Sequence, residues 1–237
     1  MTKSNDQPPI RGHTFRDRLP DSTEGRILEA ALDCIAEQGI AATSTYAIAE
    51  RAGLNQGNIH YYFRSKDDLL LRVLELLHEN SKANIDDLAH GDLPPREKLE
   101  AIIDLGFDLT GRRRPEFVTL IACWAHAMAA GEDWRNAYKR TFESFRQAVI
   151  RVIEEGERLG KFKKSSAYQS AAMLVAIVQG LGLQSVMAPE QVDRELARRQ
   201  AKELMLSVVP PHGHSRRRER GRPDIPAAKE VGNGQAV

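Results

Sequence analysis

The segment that most constrains this chain runs from Ser44 to Lys66, where two short helical patterns flank a tight turn. Ser44 can accept from the backbone of a helix beginning at Thr45. Ile48 and Ala49 give that helix an apolar face, with a small residue where a neighbour crosses closely. Gly53 ends it, because glycine enters the left-handed conformation of a helix C-terminus at little cost. Gly53, Leu54 and Asn55 make a turn of the length a helix-turn-helix requires, and Asn55 caps the helix that follows. That second helix carries Gln56, Asn58, His60 and Tyr61 on an outer surface, while Leu54, Ile59, Tyr62 and Phe63 anchor its other side. Ser65 and Asp68 form a capping-box-like pair that opens a longer helix, with Lys66 in its first turn.

A helix of this kind presents amide and aromatic side chains to base edges and phosphates in the major groove of DNA. The same spacing also suits a small helical hairpin with a solvated polar face. The formal net charge of the chain is only +1, so DNA binding must come from a local surface. That surface is polar and aromatic more than basic, which predicts a modest salt dependence.

A length of 237 residues suffices for a sizeable core, in one large domain or in a small one joined to a larger. With 41% hydrophobic and 28% charged residues, the composition is that of an ordinary soluble globular protein. The first ten residues hold no apolar core and so form no signal peptide, which predicts a cytoplasmic protein. Only the stretch from Ala171 to Ala188 lacks charge over a nearly spanning length. Gln179, Gln184, Gly180, Gly182 and Ser185 within it argue for a buried helix and against a membrane partner. Cys34 and Cys123 lie far apart in helical patterns and read as small buried hydrophobes.

The helical period continues along the whole chain and no strand-period segment interrupts it, so the fold class is all-α. Residues 1–20 are polar, contain Pro8, Pro9 and Pro20, and are expected to form a disordered arm; Arg11, Arg16 and Arg18 there are candidates for phosphate or minor-groove contact. Residues 21–68 form the helix-turn-helix unit, whose first helix starts near Asp21 or Ser22 and stops at Gly39. Residues 69–209 form a larger helical domain for ligand binding and dimerisation. The helix opened at Ser65 runs from the first unit into it, to about Ala89, so its movement can couple the two. Phe117 to Ala130 is apolar nearly all round, as in a central buried helix. Trp134, Tyr138, Phe142 and Phe145 then recur on one side of a long helix that stops at Gly160. The last two helices, from about Ser166 and from Pro189, carry small and apolar rows of the kind that build a four-helix homodimer interface. Residues 210–237, with the basic run from Arg216 to Arg222, are expected to be a disordered tail.

Catalytic and cofactor signatures are missing. The chain has no Gly-rich phosphate loop, no nucleophile elbow and no closely spaced Cys/His set, so no enzyme, cofactor or metal is expected. The pair His212 and His214 in the tail suits only adventitious metal binding.

Thr45 to Leu70 resembles the TetR family of bacterial repressors. The shared features are Thr45, Ile48-Ala49, Ala52-Gly53, the aromatic exit His60-Tyr61-Tyr62-Phe63, and the run Ser65-Lys66-Asp67-Asp68-Leu69-Leu70. His60 departs from the tyrosine of many relatives, which makes the charge at that position depend on pH. The resemblance implies DNA contacts from Ser44, Thr45, Tyr46, Gln56, Gly57, Asn58, His60, Tyr61 and Lys66. Leu174 to Pro189, the tryptophan early in the long helix, and Gly160 to Phe162 are similar to the C-terminal domain of the betaine-pathway repressor (BetI) branch; Gln179 stands where many of that branch have an acid. This similarity implies a homodimer on a palindromic double-stranded operator, with a small-molecule pocket in each C-terminal domain. Phe107, Trp124 and Trp134, with the polar groups of Thr119, His126 and Gln179, are the candidates to line it, a mixture suited to an apolar or cationic effector. The expected function is a repressor released from its operator by that effector. The competing class is an all-helical dimeric small-molecule-binding protein without DNA binding.

Overall fold

The computed structural model describes residues 12–211, and its helix starts follow from side chains that satisfy the otherwise orphaned N–H groups of each first turn. Ser22 opens α1 (Thr23–Ala42), Ser44 opens α2 (Thr45–Arg51), Asn55 opens α3 (Gln56–Tyr62) and Ser65 opens α4 (Lys66–His90), each accepting from a backbone N–H. Pro95 occupies the first position of α5 (Pro95–Thr110), where its missing N–H costs nothing. Then follow α6 (Arg114–Ala129), α7 (Glu132–Arg158), α8 (Ala167–Met187) and α9 (Arg194–Val208). Gly39 interrupts the first helix as expected, with a non-helical φ of 77° and ψ of 168°, and only a short segment to Ala42 follows the break. One helix start differs from expectation. The last begins at Arg194, because the Asp193 carboxylate caps it through the Leu196 N–H at 2.9 Å, and Pro189 lies in the preceding turn.

The larger correction concerns the N-terminal arm. Residues 12–20, expected to be disordered, are part of the fold: Phe15 is 2% exposed and packs into the core beside α1 and α6. Its N–H donates to Glu116 Oε1 at 2.8 Å. Just before it, Asn84 accepts from the His13 N–H, and the Asn80 and Asn84 amides both donate to the His13 carbonyl. Arg112 donates to the Gly12 carbonyl at 2.8 Å. A strap of backbone is therefore tied to α4 and α6 by buried polar side chains, which composition alone does not reveal. Arg11 and the tail from His212 onward, including His214 and the basic run, lie outside the described residues.

Two apolar clusters organise the rest. The first joins α1, α2, α3 and the front of α4 to Leu120, Cys123 and Ala127 of α6 and to Trp134 and Ala137 of α7. The second joins the far end of α4 to α5, the back of α7, α8 and α9. The sequence division near residue 68 thus falls inside α4, which together with α7 passes through both clusters. At the α5–α8 contact a Cβ on Gly106 would stand 2.4 Å from Val178 Cγ1, so only glycine allows these helices to approach as they do.

Candidate nucleic-acid interface and effector cavity

The turn between α2 and α3 is built by local chemistry. Gly53 has φ 65°, in the left-handed region, and Arg26 of α1 holds the adjoining Ala52 carbonyl at 2.5 Å. Asn55 and Asn58 form a reciprocal capping box: the Asn58 N–H donates to Asn55 Oδ1 at 3.0 Å, and the Asn55 N–H donates to Asn58 Oδ1 at 3.1 Å. Gly57 lies against this box, since a Cβ there would come within 3.0 Å of Asn55 Oδ1. Gln56 Nε2 donates to Thr45 Oγ1 at 3.0 Å and ties the exposed start of α3 to the start of α2.

Ile48, Ala49, Ile59 and Phe63 are buried and anchor the two helices. Tyr62, expected among the anchors, is instead 41% exposed and meets Tyr61 edge-on with ring centroids 5.0 Å apart. The outer surface thus presents Ser44, Tyr46, Gln56, Gly57, His60 and Tyr61, all exposed, with Thr45 and Asn58 half-buried among them. Tyr61 is the most open of the large side chains here at 82%. Lys66 is half-buried, and its ammonium donates to the Ile40 carbonyl at 2.8 Å, beyond the Gly39 kink. The nearby Arg51 is engaged with Glu37 on α1. The surface is accordingly rich in amides, hydroxyls and rings and poor in uncommitted cations.

A cavity of about 90 Å³ lies between α4, α5, α6, α7 and α8. Trp124, Phe117, Phe142 and Phe145 supply aromatic walls, and Leu105, Val175 and Val178 aliphatic ones. The Trp124 and Phe142 rings lie 4.9 Å apart. The Trp124 indole Nε1 is buried without a hydrogen-bond partner among the described residues. The charged and titratable lining residues are His78, Lys82 and Arg113, and none of the described lining residues is Asp or Glu. Lys82 pairs with Asp86 outside the lining. Arg113 donates through Nε and Nη2 to Glu116 Oε2 at 2.9 and 2.7 Å, a pair shut off from solvent. Burial, reinforced by Arg140, holds the His78 imidazole below its usual pKa, so the ring is neutral at pH 7.

Of the six candidate lining residues, Trp124 and Gln179 border this cavity. The other four do not. Thr119 is fully buried between helices, with Oγ1 donating to the Leu32 carbonyl of α1. Trp134 turns to the first turn of α4, where its Nε1 lies 3.0 Å from both Asp67 oxygens. His126 stacks edge-on against Trp134 at 4.6 Å, with Nε2 3.5 Å from the same carboxylate. Phe107 belongs to the second apolar cluster. His78 and Lys82 were missed because each reads in sequence as an ordinary surface residue of an amphipathic helix, and Arg113 because it reads as one cation of a basic turn.

α8 and α9 leave an apolar face uncovered. Met173, Ala176, Leu183 and Met187 recur on α8 at steps of three, seven and four, one helix face, and Leu196 and Leu204 stand on α9; all six are exposed. A Cβ on Gly180, within the same row, would meet nothing within 4 Å.

Comparison with known proteins agrees with this geometry. Residues 27–73 match the model of bacterial regulatory proteins of the tetR family, and residues 95–210 match that of the BetI-type transcriptional repressor C-terminal domain. The chain is 29% identical over 186 residues to the HTH-type transcriptional regulator BetI 1 of Chromohalobacter salexigens, covering 74% of this chain and 85% of that relative. It is 28% identical over 176 residues to the HTH-type regulator PksA of Bacillus subtilis, covering 73% and 83%. Among solved structures, a transcriptional regulator from Saccharomonospora viridis in complex with choline superposes with a TM-score of 0.73 at 25% identity, covering 78% of this chain and 96% of that one. The two family matches fall on the helix-turn-helix and on the cavity-bearing helices respectively, so the chain belongs to the TetR family of bacterial transcriptional regulators, with a BetI-type C-terminal domain, and is a DNA-binding regulator and not an enzyme.

Proposed function

We propose that this protein is a cytoplasmic homodimeric repressor that holds a two-fold operator through α3 and releases it when a small molecule fills the cavity. The observation that carries the reading is the exposed face of α3, whose side chains are braced by hydrogen bonds within the helix-turn-helix itself. Gln56 is the principal base reader, because its amide can pair with adenine once it leaves Thr45. Asn58 already spends its Oδ1 on the Asn55 N–H, so it reads a base only by breaking the box; its role is to set the start of α3. Ser44, Thr45, Tyr46, Gly57, Tyr61 and Lys66 face phosphates, and His60 reaches phosphate or base.

The second copy covers the face formed by Met173, Ala176, Leu183, Met187, Leu196 and Leu204, in the isologous manner of a two-fold dimer. Two recognition helices then address half-sites about one helical turn, or a small multiple, apart. α4 supplies the coupling. It is about 37 Å long at 1.5 Å per residue, starts with Lys66 and Asp67 just after the short turn that follows α3, and walls the cavity with His78, Ser81, Lys82 and Ile85. A guest larger than the present cavity must displace a wall, and it shifts operator affinity by its differential affinity for the two wall positions. The choline-bound regulator raises a quaternary ammonium as the guest, and the ring faces of Trp124 and Phe142 suit one, but the lining has no carboxylate to meet it.

Selection of duplexes from a random pool by the full chain tests the core of the reading. The expected outcome is a palindromic consensus bound with two protomers. Recovery of duplexes without any consensus would overturn it. Ala176→Glu or Leu196→Glu, both at exposed positions, should sediment as folded monomers that hold the selected site weakly; a persistent dimer would move the interface elsewhere.

A further inference from the structure

The lining of the cavity restricts the chemistry of its guest beyond size. Its cations each meet an acid outside the lining, Arg113 with Glu116 and Lys82 with an Asp86 that Arg151 shares, so the lining offers no free anion and Lys82 is only partly neutralised. Its remaining polar contributions are neutral: His78, the hydroxyls of Ser81, Thr141 and Ser144, and the Gln179 amide. The Thr141 hydroxyl already donates to the Ala137 carbonyl at 3.1 Å. Among the described lining residues the Trp124 indole N–H is the one fully buried donor without an acceptor, and a guest reaches it when the ring turns or a wall moves. An unsatisfied buried donor costs free energy, and a guest that supplies an acceptor recovers it.

We infer that the cavity takes a compact, uncharged apolar molecule that presents one acceptor oxygen to Trp124 Nε1, and that it disfavours a quaternary ammonium. This rests on the effector-site reading above and narrows it to a ligand class. The aromatic walls of Phe117, Phe142 and Phe145 accept an apolar body, whereas a cation entering the site would lose its water without gaining an ion partner. Ring faces offset only part of that loss.

Two molecules of nearly the same shape decide the matter: choline, and its uncharged carbon isostere, a dimethylbutanol. Their binding to the full chain is measured by ligand-observed NMR or calorimetry without DNA, together with the variants Trp124→Phe and Gly106→Ala. The neutral isostere is expected to bind at least about tenfold more tightly than choline. Trp124→Phe keeps a ring and removes the N–H, and is expected to weaken the neutral ligand about tenfold, the worth of one hydrogen bond. Gly106→Ala places a methyl at the Val178 contact on the cavity wall and should weaken both ligands alike. Tighter binding of choline, a neutral ligand indifferent to Trp124→Phe, or no binding of either ligand at millimolar concentration would each overturn the inference. Because DNA is absent, failure here is separable from failure of the repressor reading. An isostere that binds but leaves the operator complex intact would sink its role as inducer and leave the ligand class standing.

Discussion

The DNA-facing surface and the effector cavity are assembled in opposite ways. The first is made by residues within about twenty positions of one another, and its polar groups are already paired: Asn55 with Asn58, and Gln56 with Thr45. The cavity gathers residues from His78 to Gln179 across five helices and leaves the Trp124 N–H without a partner. A surface that must match DNA of fixed geometry benefits from a frame set before binding, which lowers the ordering cost at the interface. A site whose occupancy must be felt elsewhere benefits from walls on separate elements, because only then does filling it move one element against another.

This contrast can be broken most forcefully at Glu116, which joins the cavity wall to the N-terminal strap. Glu116→Ala leaves Arg113 buried without its counter-ion and the Phe15 N–H without its acceptor, so urea denaturation should show a loss of about 3–5 kcal/mol. A loss under about 0.5 kcal/mol, typical of a surface change, would mean that the strap does not hold the two regions together.

Gln56→Ala addresses the local surface alone. The expected cost is about 1–3 kcal/mol at the selected operator and much less on random duplex, with ligand binding in the cavity unchanged. Equal losses on both duplexes would make Gln56 a backbone contact.

Asn58→Ala removes an acceptor from the capping box and should lower stability by about 1 kcal/mol. If Asn58 only sets the helix start, operator and random duplex weaken together in binding titrations. A loss confined to the operator would restore it as a base reader and blur the distinction between frame and reader.

The smallest effect is expected at Cys123, on the face of α6 that enters the shared core. Burial pushes its thiol up to about 12, and burial also raises Cys34. Neither should react with an alkylating reagent at pH 8 until denaturant is added; prompt native-state labelling would show that the shared core opens readily.

What was legible in the sequence follows the same divide. Ser22, Ser44, Asn55 and Ser65 announce their helices because capping is a matter of three residues' spacing, and the structure uses all four. Helical period likewise told which residues are apolar-facing, but not which neighbour they face. Trp134 and Phe142 lie on one stripe of α7, yet Trp134 closes against Asp67 at the front of α4 while Phe142 walls the cavity. Thr119 and His126, which the sequence offers either as polar groups of the core or as ligand contacts, fasten α6 to α1 and to the start of α4. Phe15 was invisible as core because it is a single aromatic among charges, and the groups that tie the strap down, Glu116 at Phe15 and Asn80 and Asn84 at His13, arrive from helices far along the chain.

That strap has a practical consequence for anyone who would trim the protein to its helices. A chain begun at Ser22 would retain every α-helix, yet it would strip the acceptor from the Asn80 and Asn84 amides, expose the groove that Phe15 fills, and leave the Glu116 carboxylate facing Arg113 alone. The expected product is a regulator with intact secondary structure that clips easily at α6 and aggregates on warming, so limited proteolysis, and not circular dichroism, is the measurement that would reveal the damage.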